Sequence, residues 1–88
     1  MHEASLMNGL VRKIQEIAAA EGAAQVTGVR VWCGALSHMS AAHFAEHFEH
    51  AAAGTVAQGA QLDVMVSDDV RHPNAHDIRL ESLELDSR

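Results

Sequence analysis

A single cysteine, Cys33, excludes an intrachain disulfide framework and any zinc site built from four cysteines. A lone thiol suits a reducing compartment, so a cytoplasmic location is the expectation. Basic side chains are scarce too. The six cations, Arg12, Lys13, Arg30, Arg71, Arg79 and Arg88, are scattered against 12 acidic residues, for a net charge of −6 with histidine neutral. Binding phosphates takes clustered Lys and Arg, so no nucleic-acid partner is expected. No apolar run reaches the ~18 residues of a membrane span. The start Met1-His2-Glu3 has neither the basic region nor the apolar region of a secretory signal, so no membrane partner is expected either. A Gly-rich phosphate loop, a Gly-x-Ser-x-Gly turn and a convincing carboxylate pair are all missing. These absences point away from an independent enzyme.

The 88 residues that are there make one domain. A chain of this size buries roughly 60–65% of its unfolded surface, enough for a modest core. Residues 5–21 read as an amphipathic helix, with Leu6, Leu10, Ile14 and Ile17 on one stripe and Met7, Val11 and Ala18 flanking it. Ser5 is its cap candidate and Gly22 its stop. Residues 26–36 read as a strand. Val29, Val31, Cys33 and Ala35 face one way, and Arg30, Trp32 and Gly34 the other. Gly34 marks a bulge or a close backbone approach. A second helix is expected over 41–53, between Ser40 as N-cap and Gly54, with Ala41, Phe44, Ala45, Phe48 and Ala52 as its apolar stripe. Residues 61–67 and 77–85 read as two further strands. In the last, Ile78 and Leu80 share one parity and Leu83 and Leu85 the other, so a bulge near Glu81–Ser82 is needed to keep all four on one face. The order α-β-α-β-β predicts a two-layer α+β domain, two helices on one face of a three-stranded sheet. If the third strand fills the gap left by the β-α-β crossover, every neighbour is antiparallel.

Histidine is abundant, with seven residues that charge as pH falls through ~6.5. His2 is the sharpest feature. The Met1 amine, the His2 backbone nitrogen and the His2 imidazole can form fused chelate rings, and Glu3 adds a backbone nitrogen and a carboxylate. Nitrogen-rich tetragonal sites suit Ni(II) and Cu(II). The bland alternative is a frayed terminus. His43, His47 and His50 lie at i, i+4, i+7, which places imidazoles on one helix face. Phe44 stands where a zinc peptidase helix carries Glu, so this is a solvated face or a secondary metal site. His72 and His76, with Asp68, Asp69 and Asp77, mark a polar hairpin loop or a weak divalent site. His38, between the first strand and the second helix, is a further metal candidate. Cys33 falls on the core face, where a thiol acts as a small hydrophobe.

Several segments in order resemble one family. The start Met1-His2-Glu3-Ala4-Ser5-Leu6 is similar to M-H-E-x-S-L. Val26-Thr27-Gly28-Val29, followed by Gly34-Ala35-Leu36-Ser37, is similar to V-x-x-V…I-G-x-L-S. Gly54-Thr55 with Gly59-Ala60 and Leu62 is similar to G-T-x-x-x-G-A-x-L. Residues 78–85 are similar to the last strand. Over residues 1–67 and 77–86 the chain resembles the HypA/HybF family of nickel metallochaperones.

The resemblance implies Ni(II), transiently bound by Met1, His2 and Glu3, with His38 as a further ligand candidate and His43 and His47 as weaker ones. It implies delivery to a maturing nickel–iron hydrogenase large subunit, or another nickel enzyme, with a HypB-like GTPase as partner. The family carries a zinc domain with two Cys-x-x-Cys pairs between its last two strands. Here residues 68–76 stand in that place without a cysteine, so no zinc of the family type is expected. The chain is then either a short relative or a nickel domain without its zinc domain. The alternative function is a metal-independent interaction module of a hydrogenase-related complex, docking through Trp32 and Met65 on the open sheet face. A monomer or a weak homodimer paired at a sheet edge is expected.

Overall fold

The structure, a computed structural model, describes residues 3–86, with the side chains of the first helix described from Ser5 onward. The chain runs α1 (Glu3–Ala20), β1 (Gln25–Cys33), α2 (Ala41–Ala52), β2 (Gln61–Val66) and β3 (Ile78–Asp86). All five elements lie close to the boundaries that periodicity sets. Helix α1 begins at Glu3, so Ser5 lies inside the helix and is not its cap. Glu and Ala both extend a helix readily. Its other end is closed as expected. Gly22 takes φ +68, the Gly22 N–H donates to the Ala19 carbonyl at 3.1 Å, and the Ala23 N–H donates to the Ala18 carbonyl at 2.9 Å. This pair of bonds is a Schellman ending, which needs a residue tolerant of the left-handed region. Helix α2 starts as expected, with the Ser40 hydroxyl accepting from the His43 N–H at 3.1 Å.

The sheet departs from the all-antiparallel expectation. Its order is β2-β1-β3. β1 pairs in parallel with β2, and antiparallel with β3. The physical reason lies in the side chains. β1 buries Val26, Val29, Val31 and Cys33, so it takes the centre. β2 and β3 carry Asp63, Arg79, Glu81 and Glu84 on their solvent side, which suits edges and discourages further pairing. The bulge in β3 is present: Arg30 pairs with Ser82 and Val31 with Leu80, so Glu81 is the extra residue. It restores Ile78, Leu80, Leu83 and Leu85 to the face packed on the core. A second irregularity at Thr27 in β1 does the same for Val26 and Val29.

Both helices supply the covering layer, with α1 packed chiefly on α2 and, more lightly, on β3. The deepest line of α1 is Met7, Val11, Ile14 and Ala18. Leu6, Leu10 and Ile17, expected at the centre of the stripe, are half-buried at its margin. The seam turns toward the flanking set because α1 must face α2 as well as the sheet. In α2, Phe44, Phe48 and Ala52 are buried, and the two phenyl rings stack with centroids 6.3 Å apart. Ala41 and Ala45 are exposed. No helix among the described residues is long and apolar enough to cross a membrane.

Candidate metal centre

The β2–β3 loop is seated on the end of β1 by one glycine. A Cβ on Gly34 would run into the Ala75 carbonyl, and would stand 2.7 Å from the Asn74 oxygen. The absence of that carbon lets two backbone bonds close the seat. The Leu36 N–H donates to the Ala75 carbonyl at 2.7 Å, and the Gly34 N–H donates to the Asp77 carbonyl at 2.8 Å. Ala75 is buried in the contact. Gly34 is thus the close backbone approach that its place in the sequence suggested.

This seat divides the two loop histidines. His72 is committed to the scaffold. Its ring lies over Trp32, centroids 4.9 Å apart, and its Nδ1 accepts from the Asn74 N–H at 2.9 Å. His76 is exposed and makes no hydrogen bond or ring contact among the described residues. It lines an open cleft of about 620 Å³ with Leu6, Ser37, His38, Asn74 and Asp77. His38 and His76, far apart in sequence, are therefore brought to one cleft. With its side-chain amide turned to satisfy both neighbours, Asn74 donates to Asp77 Oδ2 at 3.3 Å and accepts from Arg79 Nη1 at 2.9 Å.

Two further features mark this cleft. His38 adopts φ +61, a left-handed conformation, and is the one non-glycine residue to do so among the described residues. Such a backbone is uncommon outside glycine, though His tolerates it better than most residues. The Ser37 hydroxyl is buried and has no hydrogen-bond partner among the described residues, an uncommon state for a buried oxygen. Neither Ser37 nor Asn74 is a candidate site residue from the sequence, although Ser37 closes the Gly34-Ala35-Leu36-Ser37 segment. Gly34, two to four residues upstream of Leu36 to His38, was the available signal that two chain segments meet there.

The remaining candidates lie elsewhere. Met1 and His2 are outside the described residues, as is the Glu3 side chain. The Glu3 backbone opens α1, and the first four N–H groups of a helix have no partner within it. The His43 and His47 rings stack with centroids 4.6 Å apart on α2, as i, i+4 spacing dictates, and do not line the cleft. His50 is exposed. Among the described residues no three His, Cys, Asp or Glu side chains are already gathered as a metal-holding group. Burial pushes the Cys33 thiol above its ordinary value, which keeps it protonated and inert at neutral pH. Trp32 is half-buried beneath His72, so it is not an open anchor on the sheet face. Among the described residues the exposed large apolar side chains are Met65, Val66 and Val70.

Comparison with known proteins converges on one group. The family model described as hydrogenase/urease nickel incorporation, metallochaperone, HypA, matches residues 1–82. The chain is 42% identical over 64 residues to the hydrogenase maturation factor HybF of Salmonella typhimurium, covering 73% of this chain and 57% of that protein. It is 38% identical over 65 residues to the hydrogenase maturation factor HypA 2 of Bradyrhizobium diazoefficiens, covering 74% of this chain and 58% of that one. The chain thus spans less than three-fifths of the length of these curated relatives. Among solved structures, the nickel metallochaperone HypA from Helicobacter pylori superposes with a TM-score of 0.81 at 25% identity, covering 100% of both chains.

Proposed function

The chain belongs to the HypA family of nickel-incorporation metallochaperones, and on that premise we propose that it binds Ni(II) at its N-terminus and delivers it during maturation of a nickel–iron hydrogenase or another nickel enzyme. The observation that carries this reading is the family match from residue 1 onward, which takes in Met1, His2 and Glu3. The donor set fits the ion. An amine, backbone nitrogens and one imidazole favour a four-coordinate planar Ni(II) site. The helix start at Glu3 supports it, because the amide nitrogens there are not committed to helical bonds. A planar site open on one side holds its ion yet leaves room for a recipient's donors. A HypB-like GTPase and a hydrogenase large subunit are the proposed partners. His43 and His47 are proposed as a secondary site on α2.

The test is a Ni(II) titration of the chain with its native Met1 amine, read by calorimetry and visible absorption, beside His2→Ala. One equivalent with the spectrum of a planar site is expected, lost in the variant while the fold persists. Stoichiometric planar binding retained in His2→Ala would overturn the reading. Residues added before Met1 should also weaken binding, because an amide replaces the amine. Affinity should fall with acid, since amine and imidazole must lose their protons to bind.

A further inference from the structure

Helix α1 packs only lightly on β3, and an open groove of about 490 Å³ runs between the helix and that edge strand. Leu6 and Leu10 line it from α1, and Ile78 and Leu80 from β3. All four are half-buried, so the groove presents apolar surface that the described residues leave uncovered. Among those residues β3 pairs with β1 alone. The outer edge of Ile78–Leu80 therefore keeps main-chain groups open beside the groove. The chain carries 12 acidic residues, yet no carboxylate lines the groove among the described residues. Lys13 and Arg79 stand on its rim instead, both exposed, and neither has a carboxylate partner among the described residues. Arg79 meets the neutral Asn74 amide. Gly9 is an independent sign. It sits inside α1 and lines the same groove. A glycine within a helix weakens it relative to alanine. A Cβ on Gly9 would meet nothing within 4 Å, so packing among the described residues gives no reason for its absence. A bare backbone on a groove wall lets a ligand's backbone come close.

We propose that this groove receives an extended segment of a partner protein, alternating apolar and acidic residues, which adds as a strand along the outer edge of β3. Its main chain pairs with β3, and its apolar side chains enter the groove against Leu6 and Leu10. The alternation follows from strand geometry, since successive side chains point to opposite faces. Arg79 has the parity opposite to Ile78 and Leu80, so carboxylates alternating with the apolar residues fall on its side of the sheet. Lys13 takes a further carboxylate on the helix side. Ile78–Leu80 amounts to about 10 Å of strand, which seats three or four residues of the segment. A chain of net charge −6 repels an acidic segment over most of its surface and admits it where these two cations stand. Edge charges that discourage indiscriminate pairing thus select one kind of strand. Gly9 is about 9 Å along the helix axis from Glu3, so the docked segment lies close to the head of α1. The proposal does not depend on nickel being bound there.

The probe is a capped hexapeptide of alternating leucine and glutamate, titrated into the isotope-labelled full chain and followed by proton–nitrogen NMR. A counterpart peptide carries lysine in place of glutamate. The amide signals of Gly9, Leu10, Arg79 and Leu80 should shift together and saturate with the glutamate peptide, and stay in place with the lysine peptide. Gly9→Leu should raise the thermal midpoint of the free chain by several degrees, yet weaken peptide binding at least tenfold. A residue that mattered only to folding would not move the two readouts in opposite directions. Lys13→Glu together with Arg79→Glu should weaken the glutamate peptide by a similar factor and admit the lysine peptide. Equal response to both peptides, shifts led by Met65, unchanged affinity in Gly9→Leu, or no saturable response at millimolar peptide would each overturn the proposal. So would groove signals that move when the protein alone is diluted, because they would assign the groove to a second copy of this chain.

Discussion

Among single residues, two histidines four positions apart have different work, and nothing in their local sequence separates them. His72 shields Trp32 and anchors the turn at Asn74, whereas His76 faces the cleft. Replacing His72 with Ala should expose the indole and shift its fluorescence to the red, whereas His76→Ala should leave the emission unchanged. Gly34→Ala should destabilise the fold by about 1–3 kcal/mol in urea unfolding, because the added carbon meets backbone that cannot turn aside as a side chain would. Cys33 carries a pH prediction. Its folded thiol titrates above the ordinary value near 9.0. The stability from keeping it neutral is therefore fully present below that value. It is lost as pH rises through the higher folded value, since the unfolded chain ionises first. Urea midpoints measured from pH 8 to pH 10.5 should fall toward the alkaline end, and Cys33→Ala should flatten that decline. The sequence marked Gly34 and Cys33 correctly because a missing side chain and an apolar phase are local properties. The division between His72 and His76 depends on Trp32, 40 residues away in the chain, and no local pattern carries it.

The five elements follow from short-range signals. Ser40 caps α2 and Gly22 ends α1 through the bonds their positions suggested. Ser40→Ala should cost about 1 kcal/mol, and Gly22→Ala a similar amount because alanine resists the left-handed backbone. Both are measurable as downward shifts in thermal midpoint. The phase change from Leu80 to Leu83 was enough to place a bulge at Glu81. Pairing partners were less legible. An α2 crossover is compatible with β2 beside β1 or one strand removed, and alternation alone does not choose. The choice follows from comparing strands: β1 has the most fully buried side chains and is central, while the strands with charged outer positions are the edges. The centre line of α1 was similarly ambiguous. Apolar residues occupy two adjacent stripes, and only the presence of α2 decides that Met7 and Val11 go deeper than Leu6 and Leu10.

For the whole molecule, the arrangement concentrates polar chemistry at one end. The head of α1, the loop after β1 and the last residues before β3 meet there. Away from that end, Met65, at 63% exposure, is the most exposed large apolar side chain among the described residues, and it stands on β2 beside Trp32 in register. The Met1-His2-Glu3 start, whose metal binding is proposed, was legible as a donor-rich segment from residue types alone. The cleft was not, because its histidines come from segments that become neighbours only when the sheet forms.

The seat at Gly34 grips the β2–β3 loop by its closing residues, whereas Asp68 to Arg71 at its tip are exposed and, among the described residues, bonded to near neighbours. The tip is therefore a splice point. Additional chain entering there and returning before His72 leaves the Trp32 cover, the Ala75 contact and the cleft in place. A lineage can lengthen or shorten this connection by whole folding units while the end that carries the cleft keeps its geometry.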